Sequence, residues 1–213
     1  MTSPFASQAQ LFDADDLALL ATLDSPVTIQ RFLDQTPYNT SDRYYSPRSV
    51  LRERRAHCFD GACLAAAALW RLGYAPRILD MRAHNDDDHV VAVFKRHGCF
   101  GCVAKSNTTV LRYREPVYRT LRELVLSFFD FYYNLNGDKA LREYTRPVDL
   151  RAYNRLEWLR NDDALTVIAE RLDREPHFRL VSEAQVAEFA KVEGDVYRAG
   201  LLGADEAGLY QPG

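Results

Sequence analysis

The chain has 213 residues, 47% hydrophobic and 27% charged, which is enough apolar material for one core-bearing domain without stapling. Its net charge of −3 and pI near 6.0 point neither to nucleic acid nor to an anionic membrane as a partner. No window reaches the roughly 18 apolar residues of a membrane span, no basic stretch opens a signal peptide, and four cysteines do not make a disulfide scaffold. The expectation is therefore a soluble cytoplasmic protein with reduced thiols, its oligomeric state left open.

In chain order, "DADDLALLATLD" puts acids in a first helical turn with leucines behind them. Ser25-Pro26 and Ser46-Pro47 are two further helix starts, an N-cap followed by a first-turn proline. Between them lies the polar connection "TPYNTSDRYYSPR". From Phe59 to Leu72 the residues favour helix, and Gly73 supplies the stop. Ala62, Ala65, Ala66 and Leu69 keep one side of this helix thin, so it is expected to be central and buried. Three strands follow, "APRILDMRA", "HVVAVFKR" and "CFGCVAKS", with His97-Gly98 as a turn. They suit an antiparallel meander. Pro116 then marks a helix start in "EPVYRTLRELVLSFFDFYYN", "RPVDLRAY" reads as extended, and "DDALTVIAERLD" and "SEAQVAEFAKVEG" read as helices, the last with a Ser182/Gln185 capping box. The tail "GADEAGLYQPG" is expected to be loose unless Leu209 and Tyr210 dock.

Cys58 stands at the start of the thin helix, His89 begins the second strand, and Ser106 and Asn107 end the third. On "HCFDGACLAAAALWRLGYAPRIL", "HVVAVF" and "CFGCVAKSN", the segment from about residue 46 to 107 resembles the core of the transglutaminase-like superfamily, papain-like cysteine enzymes. The resemblance covers about a third of the chain. It implies an α+β fold with a central helix packed on an antiparallel sheet and additional C-terminal helices. The corresponding division is a helical N-terminal segment (1–45), a core (46–115) and a helical C-terminal extension (116–213) within one globular domain. It also implies a cysteine nucleophile at a buried helix N-terminus, a strand histidine, and a third group that orients the histidine. The family usually has an Asp in that last position; here the sequence is "AKSNTT", so Asn107 is the first candidate and Ser106 the second, since strand alternation turns only one of them inward.

The chemistry suits those residue types. Thiolate is the nucleophile, and a helix N-terminus with a nearby imidazolium lowers a thiol's pKa. The helix end offers N–H groups for an oxyanion, and His89 would carry the proton. The expected activity is acyl transfer from an amide or ester substrate, peptides and proteins included, to water or an amine, with no cofactor or metal. Two other readings stand beside it. One is a binding or scaffold module that keeps the fold without catalysis. The weaker one is a metal-binding protein using His84, Asp86, Asp88, Cys99 or Cys102.

The remaining features have plainer readings. Cys63, five residues after Cys58, points to another helix face and reads as core. "HNDDDH" reads as a solvated acidic loop with His89 alone turned inward. His57 either tunes the thiol, lines the mouth or is exposed, and His177 reads as surface. Asp60 suits the helix dipole but would raise the thiol's pKa if it pointed the same way. The arginines of "LRERRAH" and "LRYREPVYR" read as solvated faces paired with Glu53 and Glu115 rather than as an anion site.

Overall fold

Three helix-start signals in the sequence become caps. The computed structural model describes residues 5–211. Asp13 caps α1 (Ala14–Thr22), Ser25 caps α2 (Pro26–Gln35) and Ser46 caps α3 (Pro47–Glu53), each accepting from an amide three residues on. Those amides have no partner in the helix's own ladder. The next helix, α4 (Cys58–Arg71), is buried from Phe59 to Trp70. Gly73, at φ +92°, ends it. Its small residues let it approach its neighbours closely: a Cβ built on Gly61 would lie 2.3 Å from the Lys105 Cβ.

The meander forms as expected from β1 (Arg77–Ala83), β2 (His89–Arg96) and β3 (Cys99–Val103). His97 and Gly98, at φ 52° and 81°, supply the turn between the last two. The next stretch corrects the expectation of a helix from Pro116. Residues Arg114–Tyr118 form β4 on the sheet's edge, where a proline's missing N–H costs nothing. Helix α5 (Leu121–Phe129) begins only after Thr120 caps it.

The region after residue 115 was expected to be helical, yet it also supplies β5 (Leu141–Thr145), β6 (Val148–Asp149) and β7 (His177–Arg179), besides α6 (Asp163–Asp173), α7 (Glu183–Ala187) and α8 (Gly194–Gly200). The Ser182/Gln185 box is present, but its helix stops at Ala187. The sheet order is β4-β3-β2-β1-β5-β7, with β6 beside β1. The pairings between these seven strands are antiparallel.

Strand alternation divides the core. Ile78, Val90, Ala92, Phe94 and Val103 pack with α4, whereas Leu79, Met81, Val91, Val93 and Cys102 pack with Leu124, Val125 and Phe128 of α5. β2 is buried on both faces, which is why it reads as a continuous apolar run. The architecture is thus α+β, an open antiparallel sheet with helices on either side. Among the described residues no helix is long and apolar enough to cross a membrane.

Candidate active site

Cys58 is the first residue of α4, and its neighbours build the helix end. His57 is the N-cap: its Nδ1 accepts from the amides of Phe59 (3.2 Å) and Asp60 (3.4 Å). The Asp60 carboxylate returns to the His57 amide at 3.2 Å and also takes the Tyr45 amide at 2.8 Å and the Asn39 side chain at 3.4 Å. The Gly61 amide bonds to the His57 carbonyl at 3.0 Å. The expectation of several free amides at this helix end is therefore narrowed: the cap uses those of Phe59 and Asp60 and leaves the Cys58 amide. Burial lowers the His57 pKa to about 4, which fits a neutral ring whose Nδ1 accepts. Burial raises Asp60 to about 7, against the pull of its three hydrogen bonds.

The thiol reaches the backbone on both sides of His89. Its Sγ lies 3.7 Å from the Asp88 carbonyl oxygen, and the Val90 amide is the group that favours its thiolate. Regular pairing of β2 with β3 ends at Ala92↔Val103, so the start of β2 is left uncovered on that side. His89 itself follows strand alternation onto the α5 face, edge-on to Phe128 and Tyr132 at 6.2 and 6.3 Å between centroids. Cys58 and His89 share the lining of an inner cavity of about 70 Å³. Cys58 also lines a larger outer cleft of about 510 Å³, so the sulfur stands where the two meet. It is half-buried.

The ring's tautomer follows from its partner. His89 Nε2 lies 2.8 Å from the Leu111 carbonyl oxygen, which can only accept, so Nε2 carries the hydrogen. Burial lowers the His89 pKa to about 4, leaving a neutral ring with Nδ1 as the basic atom. The Leu111 carbonyl thus holds the position expected of Asn107 or Ser106. The structure brings neither to the ring. Asn107 exchanges two hydrogen bonds with the Asp205 backbone, and the Ser106 hydroxyl pairs with Thr108, accepting its amide at 3.1 Å. Regular strand ends at Val103, and beyond it Ser106 and Asn107 line the inner cavity with Cys58 and His89 without bonding to the ring.

The thiol's electrostatics also depart from expectation. Burial pushes Cys58 up to about 12, with Asp87, Asp60 and Asp80 adding to the rise and the Val90 amide opposing it. Desolvation and the acidic neighbours outweigh the Val90 amide, and the balance favours a neutral thiol beside a neutral imidazole.

Several lining residues gave little sequence signal. The parallel bridge Tyr38↔Ala56 seats Tyr38 beside the start of α4, where its side chain borders both cavities. Asp80 lines the outer cleft and is paired to His177 across the sheet at 3.1 Å. Burial raises the Asp80 pKa and His177 opposes the rise. The surface reading of His177 is thereby corrected: its side chain is 5% exposed. A carboxylate inside the apolar run "ILDM" was the available clue, since such a group requires a partner.

The remaining candidates separate from the site. Cys63 is core. Of the arginines in "LRERRAH", Arg52 pairs with Asp13 and Asp16 rather than Glu53, and Glu115 takes the Tyr113 hydroxyl at 3.2 Å. Among the described residues no group of three or more His, Cys, Asp or Glu side chains is arranged to hold a metal ion. No family model matches the chain, and no curated protein matches it either.

Proposed function

We propose that the chain is a cysteine-dependent acyl-transfer enzyme of the transglutaminase-like kind, acting on an amide or ester. The observation that carries this reading is the sulfur's position: at the N-terminus of a buried helix, at the meeting of an open cleft and an inner cavity, bonded beside the strand histidine that lines the same cavity.

In this mechanism Cys58 gives its proton to His89 Nδ1 as sulfur bonds to the substrate carbonyl carbon. The oxyanion is held by the Cys58 amide. Collapse breaks the bond to the leaving amine or alcohol, which takes the proton from His89, and a thioester remains. Water or an amine then attacks that thioester with His89 as base, and the thiol is restored. The Leu111 carbonyl keeps Nε2 protonated and the ring aimed throughout, the part an Asn or Asp side chain plays elsewhere. Because the resting thiol is neutral, proton transfer accompanies attack rather than preceding it.

The test is turnover of a panel of amide, ester and thioester substrates by the wild type and by Cys58→Ala. Activity confined to the wild type is expected; equal activity in both removes the reading. The raised thiol favours a second reading, a binding module that keeps the cleft without chemistry. That module would bind members of the panel with the affinity unchanged by Cys58→Ala and turn over none.

A further inference from the structure

The C-terminal segment of the chain forms one wall of the site. Asn107 Nδ2 donates to the Asp205 carbonyl at 2.8 Å, and the Asp205 amide donates to Asn107 Oδ1 at 2.8 Å. One side-chain amide therefore grips both polar groups of a single backbone residue, as a neighbouring strand would. After a short 3₁₀ turn, Glu206–Gly208, the chain meets Tyr38. A Cβ on Gly208 would lie 2.7 and 2.9 Å from two ring carbons of Tyr38 and 3.1 Å from Asn107 Nδ2. That contact has room for hydrogen alone. Gly208, Leu209 and Tyr210 then line both the outer cleft and the inner cavity, as Cys58 does. Upstream, the Thr109 amide and hydroxyl hold the carbonyls of Gly200 and Leu202 at 2.9 and 2.7 Å.

The contacts with Asp205 and Gly208 read backbone and a missing side chain, which is how a groove accepts polypeptide. We infer that residues 205–210 are a built-in pseudosubstrate: they occupy the groove that a polypeptide substrate enters, one with glycine facing Tyr38, and they shield Cys58 until displaced. The substrate class rests on the acyl-transfer reading; the shielding does not. Asn107, sought as the partner of His89, is then a clamp on this strap.

The test follows alkylation of Cys58 by iodoacetamide with peptide mapping. Cys99, half-buried and lining neither cavity, is the internal reference. Asn107→Ala removes the two clamp bonds and should speed alkylation of Cys58 about thirtyfold, the population shift that two ordinary hydrogen bonds give. Gly208→Val should do at least as much, with Cys99 unchanged in both. A synthetic peptide of residues 203–211 added to Gly208→Val should restore the slow rate, and the same peptide carrying valine for that glycine should not. Wild-type alkylation rates in both variants, or no protection by the peptide, would overturn the inference. Protection by the peptide without turnover of any substrate would leave the strap standing and remove the acyl-transfer reading.

Discussion

Gly61→Ala isolates the close approach that seats the thiol. Gly61 is fully inside α4, and a methyl there would meet the Lys105 Cβ at 2.3 Å, its Cγ at 3.2 Å and its Cα at 3.5 Å. Carbon atoms in contact stand about 3.5–4.0 Å apart, so the helix and the Lys105 segment must separate by over an ångström. Lys105 cannot swing aside, because its Nζ is bonded to the carbonyls of Leu33 and Thr36. Overpacking of this kind costs about 3 kcal/mol at the upper end of its usual range. Replacing a helical glycine by alanine returns about 1 kcal/mol of propensity. The net loss is about 2 kcal/mol, which for a chain of this size lowers Tm by roughly 4–8 °C. Calorimetry and urea titration measure it directly. A variant as stable as the wild type, or more stable, would show that helix propensity rules and that the contact is slack.

Three further outcomes follow from burial and charge. His89 is neutral when folded, with its pKa lowered to about 4 against 6.5 when free, so the unfolded chain binds the extra proton between those values. Its contribution is present above pH 6.5 and lost as the pH falls toward 4. Urea titrations should therefore show wild-type stability falling relative to His89→Gln across that window, and a constant difference would refute it. His177→Ala leaves the buried Asp80 carboxylate without its side-chain partner. It should cost about 1–3 kcal/mol, more at pH 8, where the carboxylate is charged, than at pH 5; equal losses at the two pH values would contradict the pairing. Finally, Cys58 in the resting chain should alkylate with a midpoint above the free-thiol value of about 8.5. A midpoint at or below that value would mean that the helix end outweighs burial and the acidic neighbours.

Much of the frame was legible because local signals agreed with one another. Asp13, Ser25 and Ser46 announced their helices, and the period change after Gly73 announced the meander. The thin face of α4 was visible in its alanines, and Cys58 and His89 stood out by residue type and order. What stayed hidden depends on contacts distant in sequence. Pro116 signals a helix start or an edge strand equally well, and only β3 beside it decides. A backbone carbonyl, such as that of Leu111, leaves no mark in a sequence, so the group orienting His89 was sought among side chains. Asn107 stood out as a candidate partner of His89, but the backbone it bonds lies 98 positions away. His177 followed a proline and looked exposed; the carboxylate that buries it sits on a strand 97 positions earlier.

The central claim is that Cys58 forms the acyl bond with His89 as its base. Intact-mass and peptide-mapping measurement of acylation by an activated peptide thioester tests it most directly, on the wild type, Cys58→Ala and His89→Gln. The account predicts a single adduct on Cys58 of the wild type, none in Cys58→Ala, and acylation at least about 100-fold slower in His89→Gln, the lower bound for a lost general base. Acylation of Cys58 at equal rates with and without the imidazole would contradict it.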